Sequence, residues 1–368
     1  MNRYALSLII FVVLLFALGL MMIFNTTSAE VLDRFLDRSL HHALIKQLLY
    51  ALVGCLFSVG LWFVGYHNLL KLSPSLLIGF TGLLVFVFLP GIGQQMNGAY
   101  RWINVFGNSF QPSEFVKFLI PLYFIHVIAS KKEPLKLRAF VRLLLKLALP
   151  IGLILVEPDN GTVAIIFAAL VTLFVLSSQK WIYWGLPLLI LLGCGVIVAS
   201  KMPHVSDRIQ VYLHPEYDLR GKGHQPYQAK IAAGSGKLWG KGWGESLQKL
   251  EYLPEARNDY IAAIFAEETG FVGMTTLILL YMGIGFCGFC IAQKAKDKEG
   301  CYTAAIFTFL LCFQAFLNLG VVSGLLPSKG TNLPFFSQGG SSLLVNSMAL
   351  CVLLNVAHLS KRESLYDY

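Results

Sequence analysis

Charge is what this sequence lacks. Asp, Glu, Lys and Arg make up 13% of its 368 residues, and the acids are the scarcer kind, 20 against 29 basic residues. With 56% hydrophobic residues and a mean hydropathy of +0.65, too few polar side chains remain to cover a water-soluble fold of this length. That composition excludes a soluble globular enzyme and points to a polytopic membrane protein. The seven cysteines fall in or beside apolar runs, and none lies between Lys201 and Asn258, the longest polar stretch. An exported disulfide framework is thereby excluded. Cys287 and Cys290 have metal-pair spacing but sit in a Gly/Phe-rich apolar run with no second ligand pair nearby, so packing is expected of them. No Gly-x-x-x-x-Gly-Lys-Ser/Thr run occurs, which removes P-loop nucleotide chemistry and leaves the substrate or a gradient as the energy source. The net charge of +9 invites a nucleic-acid reading, but the cations lie mostly in connections between apolar runs, where membrane topology accounts for them.

Hydrophobic runs of bilayer length are abundant. They fall near 4–24, 44–65, 73–90, 113–130, 140–156, 161–178, 182–199, 260–292, 302–324 and 340–360, predicting an all-α protein of about ten transmembrane helices in one domain, with a long extracytoplasmic loop over 200–259. The first run approaches the ~20 residues that cross a bilayer and exceeds a signal-peptide core, so a retained anchor is expected. With the N-terminus placed in the cytoplasm, fourteen of the Lys and Arg residues fall in inner connections and four in the short outer ones. Short loops decide orientation, so both termini are expected to be cytoplasmic.

The outer connections then carry the candidate chemistry. Lys46 opens the second run, either snorkelling to headgroups or facing a ligand. Arg101 stands beside Trp102 in a Gly-rich loop. Pro112-Ser113-Glu114 reads as a helix start, with Glu114 and Lys117 three apart on one face. Glu157-Pro158-Asp159-Asn160-Gly161-Thr162 is a tight turn in which Asp159 either caps the next helix or joins Glu157 in holding a divalent cation. Five glycines from Gly234 to Gly244, with Trp239 and Trp243 among them, suggest a backbone that closely approaches something at a membrane interface. Asp259 opens the eighth run. Eight residues on, about 12 Å and 80° of turn away in a helix, Glu267 would line the same cleft, while Glu268 would point elsewhere. Leu326 to Ser342, with Lys329 as its single cation, is an outer loop able to dip into the membrane only under protein cover. Acids so near hydrocarbon cost roughly 2.5–3.5 kcal/mol each at mid-helix and usually face a cavity.

These motifs, taken in order, resemble the SEDS family of cell-shape and division proteins. The likeness runs through R-W-I and F-Q-P-S-E-F-V-K, the P-D-x-G-T turn, G-E-S-L-Q-K-L-E-Y-L-P-E-A, N-D-Y with A-E-E-T-G, and P-S-K-G-T-N-L-P-F-F-S-Q-G-G-S-S. The Q-K-L-E-Y-L-P-E-A run favours the division branch. The resemblance implies a peptidoglycan glycosyltransferase that polymerises lipid II at the outer face of the bacterial cytoplasmic membrane, at the division septum. It implies Asp259 as the essential aspartate, Glu114 and Lys117 as a paired acid and lysine, and Arg101, Asp159 and Lys329 as cavity-lining positions. Lys46, Arg101, Lys117 and Lys329 would hold diphosphates, and Mg or Mn is a candidate cofactor at Glu157 and Asp159. Expected partners are lipid II, membrane lipids, a class B penicillin-binding transpeptidase and other division proteins, with no nucleic acid. The chain departs from the family's usual residues at Lys46, Glu157, Asn160, Arg257, Asn258, Thr269 and Gln338. A lipid II flippase and a division scaffold are the alternative functions.

Overall fold

The computed structural model describes residues 3–34, 41–96, 99–105, 107–131, 133–189, 212, 223–249, 257–328 and 330–364. Beside a helical stretch at 181–189, the described residues form nine helices and three strands: α1 Arg3–Arg34, α2 His42–Phe86, β1 Gly93–Met96, β2 Ala99–Val105, β3 Asn108–Phe110, α3 Pro112–Ala129, α4 Leu137–Val156, α5 Asn160–Leu176, α6 His224–Ser235, α7 Ile261–Gln293, α8 Lys298–Val322 and α9 Gly340–Ser364. Seven of them are long and apolar enough to cross a bilayer, which makes the chain a multi-pass membrane protein. The expected span at 182–199 is helical over 181–189, and its remainder lies outside the described residues.

Local chemistry sets the helix ends. Pro112 begins α3, where its missing N–H costs nothing, and Asp159 and Asp297 cap α5 and α8 by accepting from the amides of Thr162 and Gly300. Two helices are longer than a membrane and are broken by glycine. As one rod, the 45 residues of α2 would reach about 67 Å. Gly65, at φ 75° and ψ 156°, divides it into two bilayer-length pieces. Asn355 of α9 bridges the break, accepting from Tyr66 N at 3.1 Å and donating to Trp62 O at 3.3 Å. The outward face of α2, with Leu52, Leu56, Phe57 and Phe63 exposed, is what a lipid-facing helix presents.

The second break lies inside the run 260–292 that the sequence presents as one span. Gly270 (φ 67°, ψ −160°) separates a short buried helix, 261–269, from the run 271–293, which at about 34 Å is itself enough to cross. Segment 236–242 fills the gap. Phe271 N and Val272 N donate to Lys237 O and Leu238 O at 2.9 and 3.2 Å, while Glu267 O and Glu268 O accept from Lys241 N and Gly242 N at 3.0 and 3.1 Å. The backbone groups freed by the break are thus satisfied inside the protein, as a membrane requires. A Cβ on Gly236 would come within 2.1 Å of Ala266 O, and one on Gly240 within 2.1 Å of Glu268 O. The glycine-rich stretch therefore approaches α7 itself.

A further difference from the all-α expectation lies in the connection before α3, which forms a three-stranded antiparallel sheet in the order β1-β2-β3. Within the bundle α9 runs along α2, α7 lies between α1 and α8, and α3 meets α2, α5 and α8. The aromatic pair Phe118–Phe307 joins α3 to α8 edge to face, with centroids 5.1 Å apart.

Candidate active site

Connections expected on one side of the membrane meet at one end of the bundle. Arg101 of β2 reaches the turn between α4 and α5, its Nε donating to Glu157 O at 2.9 Å and its Nη2 to Pro158 O at 2.7 Å. Gln111, just before α3, donates through Nε2 to Asp159 Oδ2 at 3.3 Å. Gln47 of α2 donates to Ser337 O at 3.3 Å and accepts from Gly339 N at 3.4 Å, drawing the start of α2, and half-buried Lys46 with it, to the loop before α9. At the opposite end Tyr66 and His67 meet Asp297, at 2.6 and 3.3 Å, and Leu135 N donates to Gln179 Oε1 at 3.1 Å.

A small polar pocket of about 30 Å³, partly open to solvent, lies at the first of these ends. Its lining includes Gln111, Glu114 and Asp159 from the α3 and α5 starts, Gln314 of α8, and Gly330, Thr331 and Asn332. Asp259 stands beside that wall. A Cβ on Gly330 would meet its Oδ2 at 2.9 Å, and Asn318 Nδ2 donates both to Asp259 O at 2.8 Å and to Thr331 O at 2.6 Å. Tyr260, the next residue, shares a 2.7 Å hydrogen bond with Ser328. The aspartate is half-buried, held through its own backbone carbonyl and by its neighbour Tyr260.

Lys117 lies behind the pocket and is wholly enclosed. Its Nζ donates to Glu114 Oε2 at 2.9 Å and to Gln314 Oε1 at 2.7 Å, and Gln314 Nε2 donates in turn to Asn332 O at 2.8 Å. The expected Glu114–Lys117 pair is formed, but the ammonium faces inward, so its service is to hold the pocket wall. Gln314 and Asn318, four apart on one face of α8, were not singled out in the sequence. The available signal was two amides at helical spacing inside an apolar run.

Asp159 takes the capping alternative. Its carboxylate accepts from Thr162 N at 3.2 Å, Thr162 Oγ1 at 2.8 Å, Ser113 Oγ at 3.4 Å and Gln111 Nε2. Glu157 is different. It is 0% exposed, and both of its carboxylate oxygens lack a hydrogen-bond partner. Burial, and then the charge of Asp159, push its carboxyl up to about 8, with Arg101 opposing.

Glu267 is also buried, but its carboxylate turns to segment 235–248, taking the Lys241 ammonium and the hydroxyls of Ser235 and Ser246. Glu268 points away from it, to Lys249 at 2.9 Å and to Asn25 of α1. Lys329 lies outside the described residues.

A family described as "Cell cycle protein", that of FtsW, RodA and SpoVE, matches residues 5–362. A probable peptidoglycan glycosyltransferase FtsW of Trichlorobacter lovleyi is 36% identical, over 96% of this chain and 93% of its own length. Stage V sporulation protein E of Bacillus subtilis is 36% identical over 97% of each. Among solved structures, a chain of a peptidoglycan synthase complex that coordinates polymerization and crosslinking superposes with a TM-score of 0.78 at 25% identity, over 98% of this chain and 100% of that one. The rod shape determining protein RodA of Thermus thermophilus gives 0.70 at 23% identity, over 98% and 99%, a likeness of fold.

Proposed function

The chain belongs to the cell cycle protein family of FtsW, RodA and SpoVE, and from that premise we propose that it is a peptidoglycan glycosyltransferase. It joins lipid II units into glycan strands at the outer face of the cytoplasmic membrane, with Asp259 as general base. The observation that carries the catalytic reading is the placement of a half-buried carboxylate against the Gly330–Asn332 wall of a polar pocket that opens to solvent.

Glycosyl transfer between lipid-linked disaccharides needs a base for the acceptor hydroxyl and positive charge for the departing diphosphate. Asp259 removes the proton from the acceptor 4-hydroxyl as that oxygen attacks the donor's anomeric carbon with inversion, and the lipid diphosphate leaves. Asn318 sets the depth of Asp259 by holding its carbonyl together with that of Thr331. Arg101 anchors the α4–α5 turn that forms the pocket's rim, and Arg101, Lys46 and Lys329 are the cations assigned to the diphosphates. Lys117 contributes by fixing Glu114 and Gln314. A divalent cation, Mg or Mn, is proposed at Glu157 and Asp159; it would need the ionised form of Glu157, whose two oxygens have no hydrogen-bond partner, and would supply positive charge near the pocket rim.

Both termini face the cytoplasm, the protein works at the division septum, and a class B penicillin-binding transpeptidase crosslinks the strands it makes. Purified protein supplied with lipid II in detergent, with and without such a transpeptidase, tests the reaction. Strands lengthen if the chain is a polymerase, whereas a flippase has no work to do without a bilayer.

A further inference from the structure

Two ion pairs lie outside the pocket, joining residues on either side of Asp259; Lys249–Glu268 is buried, and Lys241–Glu267 sets a half-exposed lysine on a buried carboxylate. Glu268 takes Lys249 at 2.9 Å, both side chains being nearly or wholly buried. Asn25 of α1 joins them, donating to Glu268 Oε2 and accepting from Lys249 Nζ at 2.7 Å. Lys249 and Glu268 are 19 residues apart, and Asp259 stands midway between them. The pair therefore ties together two points of the chain on either side of the aspartate. The adjacent Glu267 fastens the chain just before Lys249, holding Lys241, Ser246 and, at 3.4 Å, the amide of Gln248. Consecutive helical residues point about 100° apart, so one carboxylate grips segment 235–248 while the next grips Lys249 and α1.

Backbone hydrogen bonds across the Gly270 break already join this segment to α7. Burying the Lys249–Glu268 pair beside them gains little net stability, because desolvation offsets most of the attraction. What such pairs supply is register, since a carboxylate left without its ammonium in this interior is strongly disfavoured. Asp259 thus stands between two fixed points of the chain, Lys249 upstream and the short helix downstream, with Asn318 and Gly330 receiving it.

We infer that Glu267 and Glu268 are positioning residues for the glycosyl transfer, clamping segment 235–249 and α1 onto the 261–269 helix so that Asp259 is presented at a fixed depth against the Gly330 wall. The inference rests on Asp259 being the base. It gives Glu267 a place in the reaction without substrate contact. Small displacements of a catalytic group cost up to about 100-fold in rate, and that sets the scale of the effect.

The test compares the full-length wild type with Glu268→Ala, Glu268→Gln, the exchanged pair Lys249→Glu with Glu268→Lys, and Asp259→Asn. Each is assayed for lipid II polymerisation in detergent, per folded molecule counted by gel filtration, across a pH series. Glu268→Ala should lower kcat by about 10- to 100-fold with KM for lipid II held within about twofold, and should displace the acid limb of the kcat profile. The exchanged pair should restore most of the lost rate, and Glu268→Gln, which keeps one acceptor for Lys249 but sets an amide donor against Asn25 Nδ2 and removes the counter-charge, should restore only part of it. If Glu268→Ala fails to fold, Lys249→Met carries the same expectation. The clamp is refuted if the folded variants keep the wild-type rate and pH profile, or if the exchanged pair is no better than Glu268→Ala. An active Asp259→Asn would instead sink the general-base reading, leaving the clamp nothing to position.

Discussion

Replacing Lys117 by Met keeps the volume of a wholly enclosed side chain and removes only its charge. Glu114, 12% exposed, then loses the ammonium at 2.9 Å, and Gln314 Oε1 loses its donor at 2.7 Å. Breaking a buried pair by removing one partner costs about 3–5 kcal/mol, and an acceptor left unsatisfied adds about 1 kcal/mol. Removing both charges, Lys117→Met with Glu114→Gln, spares the protein an unpaired carboxylate, so the double variant should lose about 1–3 kcal/mol less than the two single losses added together. Unfolding of the purified protein in mixed micelles measures all three. Lipid II polymerisation measured in parallel should fall in both Lys117 variants, because Gln314 no longer steadies Asn332 at the pocket wall. A loss below about 1 kcal/mol in Lys117→Met, or additive losses in the double variant, would refute the claim that this pair holds the wall.

Glu157 gives a pH prediction with a definite sign. Its carboxyl keeps its proton in the folded protein up to about 8, while the unfolded chain releases it near 4.5. Stability should therefore fall as pH rises through that window and level off above it, and Glu157→Gln should remove this slope and be the more stable form at pH 8, by on the order of 2–4 kcal/mol. Titrating Mn at pH 7 should raise the unfolding midpoint of the wild type and not of Glu157→Gln; equal responses would place the cation elsewhere. Asn318→Leu should cut polymerisation by about tenfold or more at unchanged KM, since it frees the carbonyls of Asp259 and Thr331. Gly240→Ala, at φ 80° and with a Cβ 2.1 Å from Glu268 O, should lower the yield of folded protein sharply, and a normal yield would contradict the splice at Gly270.

The membrane-spanning helical character was legible because bilayer-length apolar runs need no tertiary context, and the Pro112 start and Asp159 cap because their chemistry is local. The break at Gly270 was hidden by the hydrophobicity of its flanks, which read as one helix at either side of a single glycine. Glu267 and Glu268 were visible as buried acids, but their partners lie in a loop whose path no periodicity specifies. The same holds for Lys117, whose spacing from Glu114 was plain while its enclosure by α8 was not. Gln314 and Asn318 went unread because each is unremarkable alone, and only the return of residues 330–332 to α8 gives them work.

The most direct measurement is lipid II polymerisation by purified Asp259→Asn, an isosteric change that leaves the hydrogen bond from Asn318 to the backbone carbonyl in place. Asp259 as general base predicts a folded protein that still takes up lipid II and forms no glycan, a fall of at least about 100-fold in kcat. Strands made at the wild-type rate by that variant would contradict it.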